Sequence, residues 1–403
     1  MTANPRAPRD GARVIPENRS TTLSHIAFLN IPGHGHVNPT LPVVAELVAR
    51  GHRVGYAVDN TFAAAVERAG ATPVRYETTL PAADQVWPTD LAPAMHLFLA
   101  EAKAVLPQLT AAFADDRPDL VVYDIGAWTA RLLAQRWGVP AIQFSPTFVT
   151  YEGWEEQMGE VYSQPDVLDF FDQLDAWLRE QGSAVDGRTY VGHPERAVVS
   201  IPRSFQINGD TVDPKYTFVG PCLDRRAHEG DWEAPGSAPV LLISLGSAYT
   251  DRPEFYRRCL EAFGGTRWHV VMGIGKHVSP ADLGPVPANV ELHAWVPQQA
   301  VLAKASAFIT HCGMGGTMEG LHHGVPMVGV PTLGEQHMNA ARLEELGVGR
   351  YLPHPEATPE RLRAAVTELV SDPAVATRLA ELQREIRAAG GTRAAADVIE
   401  SLL

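Results

Sequence analysis

The first half of the chain alternates short, continuously apolar runs with stretches in which apolar residues recur three and four positions apart. Short apolar runs are typical of strands buried in a parallel sheet, whereas the wider spacing predicts amphipathic helices. The predicted strands are 23–31, 53–58, 72–76, 119–124 and 140–145, and the predicted helices are 41–50, 61–69 and 127–137. Strands that alternate with helices predict an α/β fold with a parallel, doubly wound sheet.

The same alternation resumes after residues 223–238, a charged stretch that carries two glycines. Further strands are predicted at 240–245, 268–272, 290–293, 307–310 and 327–330. We therefore predict an N-terminal domain of residues 23–222 and a C-terminal domain of residues 239–403, joined by a linker of residues 223–238. The pattern leaves open that the last helix packs back on the first domain.

The composition narrows the classes of partner. Because the chain has 47 acidic and 33 basic residues and no basic stripe, we expect no nucleic-acid partner. No run reaches the roughly 18 apolar residues of a membrane span, and residues 1–22 are polar, which predicts a disordered leader rather than a secretion signal. Three cysteines far apart favour reduced thiols. These features predict a cytoplasmic protein with no membrane partner, and they leave monomer and homodimer open.

The predicted strand at 307–310 ends in His311-Cys312-Gly313 and opens directly into a predicted helix. The start of a helix presents unpaired backbone N–H groups and the positive end of the helix dipole, which together bind an anion. Gly313, Gly315 and Gly316 carry no Cβ, so a pyrophosphate can approach the backbone closely. Taken alone, such a turn serves equally well to pack a helix on a sheet.

Residues around this turn offer groups for the remaining parts of a nucleotide sugar. Trp295 has a flat face for a base, and Glu319 places a carboxylate inside the helix for ribose hydroxyls. Glu335 and Gln336 offer hydrogen-bond acceptors and donors for a sugar. Base, ribose, diphosphate and sugar each have a candidate partner, which predicts a nucleotide-sugar site.

A second polar loop, Pro32-Gly33-His34-Gly35-His36-Val37-Asn38-Pro39, follows the first predicted strand. Imidazole suits a general base that takes a proton from a hydroxyl near neutral pH, because its unperturbed pKa is about 6.5. The two histidines could instead form hydrogen bonds within the turn. A metal site is disfavoured, since no third ligand stands at a supporting spacing.

Asp124 closes the predicted strand at 119–124. A carboxylate at this edge of the sheet can orient a histidine and stabilise the imidazolium that forms, as Asp does in hydrolytic triads. It can also simply cap the helix that begins near Ala127.

The compound pattern resembles the donor-binding signature of the family 1 glycosyltransferases, the plant secondary-product enzymes and their bacterial relatives. The matching segments are Trp295-Val296-Pro297-Gln298, His311 to Glu319, Gly324-Val325-Pro326 and Glu335-Gln336. The chain departs from the plant pattern at Gly315 and Gly316, at Glu335, where Asp is more frequent, and in a segment about two residues shorter. Within the family it most resembles the actinomycete macrolide glycosyltransferases, through residues 34–39, 47–54, 137–140, 216–220 and 240–248.

The resemblance implies a GT-B fold, in which two doubly wound Rossmann-like domains face each other across a cleft. It implies that His36, three residues before Pro39, is the catalytic base and that Asp124 orients it. The implied donor site consists of Ser247, Trp295, Val296, Gln298, His311, Gly313, Gly315, Gly316, Thr317, Glu319, Glu335 and Gln336. His311, Ser247 and the N–H groups of Gly315, Gly316 and Thr317 would stabilise the departing diphosphate. Since no Asp-x-Asp pair suits a cation, we expect neither a metal nor another cofactor.

The acceptor is expected on the N-terminal domain, where aromatic residues cluster between 80 and 114 and between 144 and 177. Most of these are typical of a core, but aromatics around a cleft also suit a bulky apolar ligand. The candidate contacts are Trp87, Phe98, Phe148 and Trp154.

The predicted function is an inverting transfer of a hexose, glucose from UDP-glucose, to a hydroxyl of a macrolide or similar natural product. The alternatives are a biosynthetic transferase with an NDP-deoxysugar donor and a non-catalytic nucleotide-sugar binding protein. A hydrolase is disfavoured, because Glu155-Glu156 and Glu344-Glu345 are adjacent in sequence and neighbours on a helix do not face each other.

Overall fold

The computed structural model of the chain describes residues 23–403 except 83, 84, 86, 89, 224–229, 248 and 249. The predicted leader of residues 1–22 lies outside the described residues, as do positions 224–229 of the predicted linker.

The first sheet has seven parallel strands in the order β3-β2-β1-β4-β5-β6-β7. They are β1 His25–Leu29, β2 Arg53–Val58, β3 Thr72–Arg75, β4 Leu120–Asp124, β5 Ala141–Ser145, β6 Ala197–Val199 and β7 Tyr216–Phe218. Every residue of β1 and of β4 is buried, as expected of central strands covered by helices on both faces.

The second sheet has six parallel strands in the order β10-β9-β8-β11-β12-β13. They are β8 Val240–Ser244, β9 His269–Gly273, β10 Val290–His293, β11 Ala305–Thr310, β12 Met327–Gly329 and β13 Gly349–Tyr351. The predicted strands are confirmed in both sheets, with ends that differ by at most two residues. The pattern missed β6, β7 and β13, which have three residues each, although it predicted β12, which is equally short.

Helices connect the strands of both sheets. In the first half they are α1 His34–Val37, α2 Leu41–Ala49, α3 Ala63–Arg68, α4 Leu91–Ala112, α5 Thr129–Trp137, α6 Trp154–Gln157, α7 Gly159–Tyr162, α8 Pro165–Glu180 and α9 Gly187–Gly192. In the second half they are α10 Pro253–Phe263, α11 Gln298–Leu302, α12 Met314–His323, α13 Gly334–Glu345, α14 Pro359–Ser371, α15 Pro373–Ala389 and α16 Gly391–Glu400. The chain turns out of α12 at Gly324, whose φ of 69° favours glycine.

The strand order of each sheet reverses at one place. In the first sheet the reversal lies between β1 and β4, and in the second it lies between β8 and β11. Ligands of doubly wound sheets bind beyond the carboxyl ends of the strands at such a reversal, because the flanking loops diverge there and leave a crevice. The loops after β1, β4, β8 and β11 are therefore the expected walls of a site.

The C-terminal helix α16 packs on α2 of the first domain. Arg50 donates hydrogen bonds to Asp397 Oδ1 at 2.6 Å and to Glu400 Oε2 at 2.7 Å, and the Gly391 N–H donates to Val219 O at 2.7 Å. The last helix of the chain thus belongs spatially to the first sheet.

Candidate active site between the two sheets

His36 lies in α1, directly after β1, and its imidazole contacts the end of β4. His36 Nδ1 lies 2.8 Å from Asp124 Oδ2, and the two strands pair side by side up to Leu29 and Tyr123. The imidazole is 29% exposed, whereas the Asp124 side chain is only 1% exposed. The carboxylate is therefore shielded from water while the histidine keeps one open face.

The polar surroundings hold this pair in place. Asp124 Oδ1 accepts the Gly126 N–H at 2.8 Å, which leaves Oδ2 for the histidine. A Cβ at Gly126 would stand 3.1 Å from the Ile31 side chain and 3.3 Å from Asp124 Oδ1, so the turn is packed tightly against the carboxylate. Asn30 Nδ2 donates to His36 O at 2.9 Å and fixes the loop after β1.

Opposing effects act on the pKa of His36. Burial lowers it, but the charge and hydrogen bond of Asp124, with a further contribution from the charge of Glu335, outweigh burial and raise the pKa above its ordinary value of 6.5. Because the acceptor of the Nδ1 hydrogen bond is a carboxylate, Nδ1 carries the proton and Nε2 keeps a lone pair. The imidazole has the tautomer that a general base needs.

In the second domain, α12 begins at Met314 directly after β11, with Gly313 as its N-cap. The first N–H groups of a helix have no intrahelical acceptor, so those of Met314, Gly315 and Gly316 are available to an anion. Nothing lies within 4 Å of a Cβ built on Gly315, whose open side faces the cavity described below.

The predicted role of the Thr317 N–H is wrong. This group donates to Gly313 O at 3.0 Å, and the Thr317 hydroxyl donates to the same oxygen at 3.0 Å. Thr317 is fully buried and closes the first turn of α12. The position is one residue too far into the helix, because the four N–H groups without an intrahelical partner end at Gly316 when they are counted from the N-cap Gly313.

His311 is held between two glycines. A Cβ on Gly246 would stand 2.6 Å from the imidazole, and a Cβ on Gly313 would stand 2.5 Å from it, so neither position admits a side chain without a shift. Burial lowers the pKa of His311 to about 4, which keeps the ring neutral near pH 7. Among the described residues His311 Nδ1 has no hydrogen-bond partner, although it is buried. A buried, unpaired ring nitrogen on the wall of the cavity suits a ligand contact.

Trp295 and Glu319 stand on the same side of the second domain. The Trp295 side chain is 53% exposed, and its ring centroid lies 6.0 Å from that of His34 in the first domain. Glu319 is buried, and its Oε2 accepts a hydrogen bond from Gln298 Nε2 at 2.6 Å. An exposed aromatic face beside a buried, oriented carboxylate provides a stacking surface next to a hydrogen-bond acceptor.

Glu335 and Gln336 begin α13 but differ in surroundings. Glu335 Oε1 accepts the hydroxyl of Thr147, from the loop after β5, at 2.8 Å. Gln336 Oε1 instead accepts the backbone N–H of Thr332 at 2.9 Å and of Leu333 at 3.2 Å, so it caps its own helix. Capping turns this amide away from the wall, and only Glu335 lines the cavity.

One cavity of about 340 Å³ lies between the carboxyl ends of the two sheets. The predicted residues that line it are His36, Ser247, Trp295, Val296, Gln298, His311, Gly313, Gly315, Gly316, Glu319 and Glu335. Asp124 lies behind His36, and Thr317 and Gln336 are absent from the wall. The structure adds Thr147, which was not predicted although Ser145-Pro146-Thr147 is a polar end of a strand, the same signal that identified Asp124.

The four aromatic residues predicted to contact the acceptor do not line this cavity. Phe98 lies 6.4 Å from Trp87 and 5.9 Å from Trp128, between ring centroids. Phe148 stacks on Phe205 at 5.6 Å, and Trp154 packs on Tyr151 at 5.5 Å. All four are half-buried. Aromatic rings gain most by packing on one another and on the core, and here that effect outweighs placement at the cavity.

The described part of the chain offers neither a membrane span nor a metal cluster. Within it, no helix is both long and apolar enough to cross a membrane. The same residues contain no cluster of three or more His, Cys, Asp or Glu side chains arranged to hold a metal ion.

Comparison with known proteins places these features in a family. Residues 257–402 match the family described as erythromycin biosynthesis protein CIII-like, C-terminal domain. The oleandomycin glycosyltransferase of Streptomyces antibioticus is 48% identical, covering 95% of this chain and 92% of the relative. The NDP-glycosyltransferase YjiC of Bacillus licheniformis is 39% identical, covering 94% of this chain and 98% of the relative.

Solved structures agree with the sequence relatives. The glycosyltransferase of kitacinnamycin superposes with a TM-score of 0.87 at 48% identity, covering 94% of this chain and 99% of that one. The predicted GT-B fold is confirmed by this neighbour and by the two parallel sheets. The chain is a sugar-transferring enzyme that belongs to the family 1 glycosyltransferases, in the group of actinomycete macrolide glycosyltransferases.

Proposed function

We propose that this enzyme transfers glucose from UDP-glucose to a hydroxyl of a macrolide or a similarly bulky natural product, with inversion at the anomeric carbon. The observation that carries the proposal is the cavity itself: the open face of His36 and the amino terminus of α12 line one space of about 340 Å³. A base and an anion-binding helix end on opposite domains suit a single displacement between an acceptor hydroxyl and a leaving diphosphate.

In the proposed reaction the acceptor hydroxyl gives its proton to His36 Nε2 as its oxygen attacks the anomeric carbon. The bond between that carbon and the diphosphate oxygen breaks, and the electron pair leaves with the nucleoside diphosphate. Asp124, 2.8 Å from Nδ1, fixes the tautomer before the step and stabilises the imidazolium after it. One displacement inverts the carbon, because attack comes from the face opposite the leaving group.

The leaving group gains charge in the transition state, so fixed donors beside it accelerate the reaction. The N–H groups at the start of α12 and the positive end of its dipole supply such donors. Neutral His311 can donate from one ring nitrogen without the cost of burying a charge. With these groups in place the proposed mechanism needs no metal.

The proposed donor is UDP-glucose. The exposed Trp295 face suits uracil, and the Glu319 carboxylate can accept hydrogen bonds from both ribose hydroxyls, which favours a ribonucleotide over a deoxyribonucleotide. Glu335 offers carboxylate oxygens to the hexose hydroxyls. A deoxysugar would leave such an acceptor unpaired, which costs more than the loss of an apolar contact.

The proposed acceptor class follows the relatives rather than the cavity wall. The oleandomycin glycosyltransferase is named for a macrolide, and it shares 48% of its residues with this chain in the matched region. The acceptor would approach His36 from the first domain.

A mass-spectrometric screen of UDP-glucose against a panel of macrolides and flavonoids tests the proposal. We expect at least one macrolide to gain a single hexose, with the β configuration at the new linkage in NMR. An α linkage would contradict a single displacement. Transfer from deoxysugar nucleotides but not from UDP-glucose would show that the donor is an NDP-deoxysugar instead. Donor binding without transfer to any acceptor would favour a binding protein.

A further inference from the structure

Helix α13 connects the cavity to a second contact between the domains. Glu335, in its first turn, lines the cavity, and Arg342 lies two turns further along with a side chain that is only 14% exposed. Arg342 donates hydrogen bonds across the domain interface, from Nη2 to Ser204 O at 2.7 Å and from Nε to Phe205 O at 3.1 Å. Arg342 Nη2 also donates a longer hydrogen bond, of 3.4 Å, to Gln206 O.

The carbonyls that Arg342 contacts end a helical turn of the first domain. The N–H of Phe205 donates to Pro202 O at 3.0 Å, so the last carbonyls of this turn have no donor from the turn itself. A guanidinium satisfies several of them at once, as basic side chains do at helix ends. At the other end of the turn, Glu385 of α15 accepts the Ser204 N–H at 3.0 Å. Two side chains of the second domain thus hold one turn of the first.

The same turn is connected to the cavity by a buried amide. Gln206 is fully buried, with Oε1 accepting the Val149 N–H at 3.0 Å and Nε2 donating to Val149 O at 3.0 Å. Val149 stands two residues after Thr147, whose hydroxyl donates to Glu335 at 2.8 Å. The contacts form a closed circuit that starts at Glu335, crosses to the first domain and returns to α13 at Arg342.

We propose that Arg342 is a positioning residue for the transfer reaction, which fixes α13 against the first domain so that Glu335 meets the sugar of the donor. The inference rests on the proposed function, in which Glu335 binds the hexose. Both ends of α13 are tied to the first domain, one by Glu335 and one by Arg342. Among the described residues, the hydrogen bond between Thr147 and Glu335 is the one that still joins α13 to the first domain when Arg342 is removed. Displacements of about 1 Å at a reacting site can slow turnover by about 100-fold, so this support matters for rate.

Arg342→Gln tests the proposal, with Arg350→Gln as the matched control. Arg350 is also partly buried, at 28% exposed, but its contacts with Gly349 O and Glu368 stay within the second domain. We expect Arg342→Gln to lower kcat/KM for UDP-glucose by about tenfold or more, the effect of losing one hydrogen bond to a charged group, while calorimetry shows unchanged affinity for UDP. Arg350→Gln should match wild type in both. Equal kcat/KM in the two variants would overturn the proposal.

A double-mutant cycle with Thr147→Val separates positioning from general stability. If Arg342 acts through the contact between Thr147 and Glu335, the combined loss is smaller than the product of the two separate losses. If the loss of kcat/KM in the double variant equals the product of the two separate losses, Arg342 does not act through the contact between Thr147 and Glu335. Should Arg342→Gln fail to fold, Arg342→Lys replaces it in the cycle, because lysine keeps the charge but reaches fewer carbonyls.

The proposed donor and the role of Arg342 can fail separately. The cycle is run with whichever nucleotide sugar wild type uses. If wild type transfers a sugar from another sugar nucleotide but not from UDP-glucose, the proposal that UDP-glucose is the donor fails, and the proposed role of Arg342 is unaffected. Normal wild-type turnover with no effect of Arg342→Gln would overturn the positioning role alone.

Discussion

At the scale of single residues, His36 combines a base that must be neutral with a neighbour that favours its charged form. The Asp124 carboxylate is almost fully buried, so its interaction with the imidazolium is poorly screened by water. The raised pKa strengthens the base, but it also leaves more of the histidine protonated at a given pH. The two effects make the pH dependence of turnover informative.

We expect turnover to fall as pH decreases through the raised pKa of His36, above its ordinary value of 6.5, because the protonated ring cannot accept a proton. Asp124→Asn removes the charge that stabilises the imidazolium, so the acid limb should move to lower pH while the plateau rate also falls. Profiles of kcat/KM against pH for both proteins measure this. An acid limb at the same pH in the variant would reduce Asp124 to a structural contact of the Gly126 turn.

Substitutions of Trp295 and Glu335 test separately the nucleotide half and the sugar half of the proposed donor site. Trp295→Ala should weaken UDP by about 1–3 kcal/mol, the usual contribution of a base stacked on an aromatic ring. Glu335→Ala should leave UDP affinity near wild type and reduce the use of UDP-glucose, since UDP has no hexose. Calorimetry with UDP and rates with UDP-glucose and UDP-galactose distinguish the two. If Glu335→Ala weakens UDP as much as Trp295→Ala does, the division of the site is wrong.

At the scale of elements, the amino terminus of α12 has a position where folding and ligand binding can be tested apart. A Cβ on Gly315 meets nothing within 4 Å, and alanine in a helix is more stable than glycine by up to about 1 kcal/mol. Gly315→Ala should therefore melt no lower than wild type, yet bind UDP more weakly, because the methyl group occupies space beside the exposed N–H groups.

Gly159→Ala is the matched control for Gly315→Ala. Gly159 begins α7, a Cβ there also meets nothing within 4 Å, and the residue does not line the cavity. The Gly159→Ala variant should bind UDP as tightly as wild type does. Unchanged UDP affinity in Gly315→Ala as well would show that the diphosphate does not approach this helix end.

The elements also show what the sequence could reveal. Apolar periodicity predicted the long strands, whereas the pairing of His36 with Asp124 was implied by the family resemblance, and the structure pairs β1 with β4. Periodicity did not identify the short strands β6, β7 and β13, although it identified β12, which also has three residues. The Glu335-Gln336 pair matches the family signature, which predicts Gln336 at the sugar. The competing role, an amide that caps its own helix, depends on local geometry that the signature does not contain.

At the scale of the whole molecule, the two sheets place their reversal points on one cavity, which is why residues from loops of both domains converge there. Proximity of this kind depends on how the domains sit together, and only the structure showed the contact between Thr147 and Glu335. The aromatic residues of the first domain illustrate the converse. Their number suggested an acceptor surface, but composition does not distinguish a ring that lines a cavity from one that packs on its neighbours.

Turnover should survive thorough chelation, because the helix end at α12 and His311 supply the stabilisation that a cation would otherwise give. The measurement is the transfer rate before and after dialysis against EDTA. Loss of activity that magnesium or manganese restores would show that the diphosphate is held differently.

The central claim is that one domain supplies the base and the other the nucleotide site, and His36→Ala tests it most directly. Turnover with UDP-glucose should fall by about 100-fold or more, the usual scale for a lost general base, while calorimetry shows UDP affinity within experimental error of wild type. His36 is 29% exposed, so its truncation leaves no large buried void to unfold the loop. Near-normal turnover in His36→Ala, with folding and UDP binding intact, would remove this histidine from the mechanism and contradict the account.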